Sequence, residues 1–228
     1  MTTSEIRKSF ATDLAILLGD LSTMADVVGR MLSQSIQALI KGDPSLAREV
    51  ERMDDIVDRY NLDIESKSLH LLALQQPMAR DLRTIAGALK IITDIERAGD
   101  YAVDISKAVE RLAAQPPIKP IVDIPKMGAI VQEMLSETLT AFMTRDLNLV
   151  QQMIDHDEEV DQLYRKILSD LTAFIRQDTS ITESAIDLIM VARYLERMAD
   201  HITNIGERIH YMETGMLREL HKSSPSTS

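Results

Sequence analysis

This chain contains much of its own sequence twice, and whatever one copy folds into, the other must fold into as well. Residues 29–58 align without a gap on residues 132–161, an offset of 103. The match pairs Met31-Leu32-Ser33 with Met134-Leu135-Ser136, Ala38 with Ala141, Asp43 with Asp146 and Leu46 with Leu149. It ends by setting Asp54 and Asp58 on Asp157 and Asp161. A second match, at an offset of 100, sets Glu96-Arg97-Ala98-Gly99-Asp100 on Glu196-Arg197-Met198-Ala199-Asp200. In 228 residues this leaves two units of roughly 100 residues, each with its own apolar faces to bury.

The periodicity inside each unit is helical. Leu14, Leu17, Leu21, Met24, Val28, Met31, Ser35 and Leu39 recur at three- and four-residue spacing, predicting a first helix over 4–41. Gly19 and Gly29 each weaken it by about 1 kcal/mol relative to Ala, which packing must offset. Gly42-Asp43-Pro44 supplies a C-terminal Gly, an N-cap Asp and a Pro at the first helical position, a tight helix–helix turn. A second helix runs to about Leu74, and Gln76-Pro77 opens a third that runs to about Ala114. Residues 115–125 hold four of the seven prolines and read as a linker. A fourth helix spans about Lys126 to Thr144, Asp146 repeats the turn position of Asp43, and a fifth helix reaches Gln177. Ser180 and Glu183 form a capping box for a sixth, ending near Thr214, and residues 215–228 read as a disordered tail. The expectation is an all-α protein of two tandem antiparallel three-helix bundles, over 1–114 and 126–214.

Composition agrees and narrows the partners. Aromatics are only 4% and Trp is absent, so Leu, Ile, Val, Ala and 13 Met must fill the interior. A net charge of −11 repels nucleic-acid phosphate and anionic lipid and suits a basic partner or a bound cation. With no cysteine there is no disulfide or thiolate metal site. No stretch approaches the ~20 apolar residues a membrane span needs, and Leu14–Leu18 is too short for a signal peptide. A cytoplasmic protein without direct membrane insertion is expected.

The carboxylates are the functional clue. Residues four apart share a helix face, so Asp54 with Asp58 and Glu96 with Asp100 each point one way. Glu96 falls in a row with Leu82, Ile85, Leu89, Ile92 and Val103, where spacing calls for another apolar residue; Glu196 follows Ile189 and Ala192 likewise. Consecutive antiparallel helices let the two pairs face one another across a seam, and the second copy repeats this with Asp157, Asp161, Glu196 and Asp200. All-oxygen sets of this kind suit hard cations, Mg, Ca, Mn or ferric iron, with zinc possible, and four carboxylates favour more than one ion. Ion pairing to Arg59, Arg97 and Arg197 is the competing reading. His156 and His201 stand beside the second set as further candidate ligands or supports. Glu207 and His210 form the only E-x-x-H, where a di-iron carboxylate enzyme needs two. No Gly-rich phosphate loop or nucleophile elbow is present, so no catalytic residue is assigned.

Taken together, the chain resembles the PhoU family of bacterial phosphate-transport accessory proteins. Pro77-Met78-Ala79-Arg80-Asp81-Leu82-Arg83 followed by Asp94-Ile95-Glu96-Arg97-Ala98-Gly99-Asp100 is similar to the family's first signature, and 195–205 (LERMADHITNI) to its second. Tyr101 and Asp104 depart from the first signature, which often has His and Asn there. The resemblance implies two three-helix bundles and multinuclear iron or zinc clusters, one on Asp54, Asp58, Glu96 and Asp100 and one on Asp157, Asp161, Glu196 and Asp200. It also implies a cytoplasmic, non-enzymatic negative regulator of phosphate uptake and phosphate-starvation signalling. Its partners would be the ATPase subunit of the phosphate ABC transporter and a phosphate-sensing histidine kinase, with a second copy of the chain as a homodimer. The alternative from another class is a metal-dependent oxidase or hydrolase built on the same carboxylates.

Overall fold

The computed structural model describes residues 3–115, 118 and 123–216, and these form six long helices and one short turn of 3-10 helix. α1 (Thr3–Lys41), α2 (Pro44–Gln75) and α3 (Arg80–Leu112) pack on one another, and α4 (Asp123–Thr144), α5 (Leu147–Gln177) and α6 (Thr182–Thr214) do the same. The two three-helix bundles join through α3 against α6 and α1 against α4. No described helix is long and apolar enough to cross a membrane.

Burial shows which helices are central. α3 buries 15 residues and α6 buries 16, against six in α2 and seven in α5. α3 and α6 each pack on their own bundle and on each other, so their apolar surface is two-sided. Small residues make this possible: Ala88, Ala98, Gly99 and Ala102 on α3, and Ala185, Ala192, Ala199 and Gly206 on α6, are buried along their lengths. This corrects the apolar row expected of α3. The buried centre runs through Ile85, Ala88, Ile91, Ile95, Ala98 and Ala102, while Leu82 is exposed and Glu96 sits on the rim.

The turns follow local chemistry. Asp43 caps α2, accepting from Ser45 N at 2.9 Å and Leu46 N at 3.4 Å, with Pro44 opening the helix. Gly42, at φ +61°, takes the left-handed conformation that ends α1. In the second copy Asp146 caps α5 through Asn148 N at 2.9 Å, and Arg145 holds the left-handed place at φ 62°. Three boundaries differ from expectation. α3 starts at Arg80, after Gln76 and Ala79 adopt positive φ. α4 starts at Asp123, so Pro125 sits in its first turn, where its missing N–H is harmless. Asp178, not Ser180, caps the approach to α6, accepting from Ser180 N at 2.9 Å to form the 3-10 turn Thr179–Ile181. Most of the expected linker and residues 217–228 of the expected tail lie outside the described residues.

The bundles meet about a pseudo-twofold. Gly29 of α1 faces Gln132 of α4, its own counterpart in the duplication, and a β-carbon on Gly29 would stand 3.1 Å from Gln132 Nε2 and 3.4 Å from Leu135 Cδ2. Gly29 therefore permits the close approach of α4. Gly19 has nothing within 4 Å of that position, so its cost to the helix is not offset there.

Candidate functional site

Asp54 and Asp58 project from α2, and Glu96 and Asp100 from α3, onto the α2–α3 seam. Gly99 shows the juxtaposition: a β-carbon there would lie 3.9 Å from Asp54 Oδ1, beside Val28 and Val57. The Asp54 carboxylate is thus laid on α3 beside Gly99, the residue before Asp100. Asp54 and Glu96 are half-buried, with Asp58 exposed at the rim. Burial pushes the Asp54 carboxyl above the usual range, and Asp58 and Asp100 push it further. Glu96 is raised by burial and then by Asp100, with Arg97 opposing and Asp58 and Asp54 adding to the rise. These couplings reach across the seam in both directions, so the four acids form one electrostatic group.

The second copy repeats the arrangement on α5 and α6. Glu196 has a side chain only 13% exposed, against 44% for Asp161 and 34% for Asp200. Its carboxyl is raised by burial and by Asp200, opposed by Arg193 and Arg197, and raised again by Asp161 across the seam. Its Oε1 accepts from Arg193 Nη1 at 2.5 Å, but its Oε2 is buried with no hydrogen-bond partner, and Arg197 Nε is 3.9 Å away. A buried anionic oxygen without a donor is unfavourable unless a cation meets it.

Arginines provide part of that compensation. Arg97 bridges Glu96 Oε2 at 3.6 Å and Asp100 Oδ2 at 2.9 Å, and Arg197 reaches Asp200 Oδ2 at 3.5 Å. Arg165 lies 3.7 Å from Asp161. Arg59 forms no ion pair among the described residues. Arg97 and Arg197 are about half exposed, so their screened pairs are worth ~1 kcal/mol or less each. No three acids of either set bring one oxygen each within 4.8 Å of one another; closing a ligand shell requires side-chain rotation. The donor set fits hard, multiply charged cations, eight carboxylates in two groups with one orphaned oxygen.

The histidines turn elsewhere. His156 Nδ1 lies 3.1 Å from Glu137 Oε2 of α4, and His201 Nδ1 lies 2.9 Å from Asp94 Oδ1 of α3. Their Nδ1 atoms thus meet acids outside the second carboxylate set. His210 contacts Met216 O at 3.3 Å, while Glu207 of the same E-x-x-H is buried. Sequence reasoning passed over Glu133 and Glu137. Their four-residue spacing, with a histidine on the next helix, was the available signal.

Tandem three-helix bundles, each pairing acids of its middle helix with acids of its third, define a class of duplicated helical scaffold whose sites are open seams. The PhoU domain model matches residues 21–109 and again 124–209. The chain belongs to the PhoU family. A protein of Clostridium acetobutylicum named "Phosphate-specific transport system accessory protein PhoU homolog" is 36% identical over 210 residues, covering 92% of this chain and 96% of that one. One of the same name from Aquifex aeolicus is 38% identical over 174 residues, covering 76% and 79%. Crystal structures of PhoU from Pseudomonas aeruginosa and of the phosphate transport system regulatory protein PhoU from Streptococcus pneumoniae superpose with TM-scores of 0.86. They share 30% and 28% identity and cover 91% and 92% of this chain, and 100% and 99% of their own.

Proposed function

We propose that this protein is an accessory regulator of a phosphate-specific transport system, a non-catalytic adaptor whose two acidic seams hold metal clusters. The names of its relatives support the transport role. The observation that carries the metal reading is Glu196 Oε2, buried without a hydrogen-bond donor near Asp200 and Asp161, with the Arg197 guanidinium no closer than 3.9 Å. Asp54, Asp58, Glu96 and Asp100 would hold one cluster, and Asp157, Asp161, Glu196 and Asp200 the other. Iron and zinc come first by the resemblance, with Mn, Mg and Ca compatible with oxygen donors. Bound ions would replace like-charge repulsion with attraction and fix α2 to α3 and α5 to α6.

The adaptor would work at the cytoplasmic face, between the transporter's ATPase subunit and the phosphate-sensing histidine kinase, and lower uptake when phosphate is plentiful. An acidic surface gives such docking a dependence on salt. Self-association belongs to the same proposal: Leu62 and Leu69, seven residues apart on α2, are 66% and 54% exposed. The test is co-purification of the full chain with the ATPase subunit, together with phosphate-starvation gene expression in a deletion strain. Binding of the ATPase and restored repression by the wild-type chain are expected; a chain that does neither contradicts the reading. Catalysis is tested separately: phosphoester or ATP hydrolysis that survives repurification and disappears in Glu196→Ala would favour the enzyme alternative.

A further inference from the structure

The α4–α5 seam is a ladder of oppositely charged rungs with one rung out of pattern. Asp123 pairs with Lys166, and Lys126 Nζ lies 2.9 Å from Glu159 Oε1. Further along the same antiparallel seam stand Glu133 and Glu137 of α4 and His156 of α5, two acids and no lysine or arginine. Among the described residues neither glutamate pairs with Lys or Arg, and Glu137 meets only His156. One ligand atom from each of the three lies within 4.8 Å of the other two. The 3.1 Å between His156 Nδ1 and Glu137 Oε2 matches two ligands on one ion. Ligands about 2.1 Å from a metal stand about 3.0–3.4 Å apart in neighbouring octahedral or tetrahedral positions.

The duplication supplies an independent comparison. At the offset of 103, Glu133, Glu137 and His156 correspond to Arg30, Gln34 and Met53. The first copy carries a fixed cation where the second has Glu133, and a neutral amide and a thioether, weaker ligands for a zinc-type ion, at the other two places. The second copy thus differs at all three positions together, each toward a stronger ligand for such an ion.

We propose that Glu133, Glu137 and His156 hold one divalent transition-metal ion of the zinc type on the α4–α5 seam, in the C-terminal copy alone. One imidazole nitrogen with two carboxylates suits zinc, manganese or ferrous iron, and leaves coordination positions for water. Bound there, the ion would clamp α4 to α5, a seam the two carboxylate sets do not touch. The proposal does not rest on metal in those sets.

The nitrogen makes it testable on the full chain. Protein with ¹⁵N-labelled histidine, stripped with chelator, is titrated with zinc chloride and followed by NMR of the ring nitrogens. The His156 resonance, assigned by its absence in His156→Asn, is expected to shift and saturate at one zinc per chain in the micromolar range. Glu137→Gln and Glu133→Gln should each weaken that shift at least about tenfold, the scale seen even when only an outer-shell partner is lost. Asp161→Asn/Glu196→Gln should leave it in place, which separates this site from the carboxylate set beside it. A His156 resonance that does not move, or moves only at millimolar zinc, or moves equally in both glutamate variants, overturns the proposal and leaves a plain His–Glu ion pair. Glu133 is exposed, so Glu133→Gln keeps the test valid if the half-buried positions tolerate substitution poorly.

Discussion

His201 Nδ1 lies 2.9 Å from Asp94 Oδ1, and this pair is the image, through the internal duplication, of the Tyr101–Tyr194 stack. Replacing each tyrosine by its counterpart 100 residues away gives His201 and Asp94. The same place on the α3–α6 interface is held by two rings 6.0 Å apart on one side of the pseudo-axis and by a polar pair on the other. Asn204 Nδ2 adds a hydrogen bond to Asp94 at 3.3 Å, and Tyr101 lies against His201 at 5.8 Å. The departure of Tyr101 from the signature is therefore part of a specialised inter-bundle contact.

Removing this contact should weaken the junction and spare the seams. His201→Ala leaves Asp94, a carboxylate only 16% exposed, with one partner fewer. A loss of about 1–3 kcal/mol in denaturant unfolding is expected. Metal content should stay at the wild-type level, since the His201 ring is engaged by Asp94 of α3. A variant that loses metal without losing stability would place His201 among the ligands.

The raised carboxyls fix the sign of the pH response of metal-free protein. Asp54, Glu96 and Glu196 hold protons more tightly folded than unfolded, burial and neighbouring acids being the causes. Between the ordinary carboxylate pKa and the raised folded value, the folded state binds more protons, so these groups lower stability as pH rises through that window. In Asp54→Asn the decline should be shallower. Metal must displace those protons, so the melting-temperature gain from added metal should grow with pH over the same range. Thermal melts with and without metal, from pH 4 upward, check both slopes.

Two glycines of the first bundle should respond oppositely to alanine. Gly19 is mid-helix with open space around its absent side chain, so Gly19→Ala should stabilise by about 0.5–1 kcal/mol. Gly42 sits at φ +61°, where an L side chain costs about 1–2 kcal/mol, so Gly42→Ala should destabilise by that amount. Equilibrium unfolding of the two variants reads both signs.

Much of this was legible in the sequence because helices and turns are encoded locally. The Gly42-Asp43-Pro44 turn and its Asp146 copy act through groups two and three residues away, and the helix ends fell within a few residues of expectation. The facing of Asp54 toward Glu96 and Asp100 followed from antiparallel connection alone. The inter-bundle packing was not legible. Treating α3 as one-sided placed Glu96 within the apolar row, while α6 covers a second face and moves that residue to the rim. The partners of His156 and His201 lie on other helices, at separations of 19 and 107 residues, and no local pattern reports them.

The proposed metal clusters require acids from neighbouring helices to converge in each bundle. Elemental analysis of untagged protein, from cells supplied with iron, zinc and manganese, tests the proposal most directly. Wild-type chain should carry more than one ion. Asp58→Asn/Glu96→Gln should remove the share held by the first bundle, and Asp161→Asn/Glu196→Gln that of the second. Wild-type protein with almost no metal, or a content unchanged in both double variants, would contradict the account.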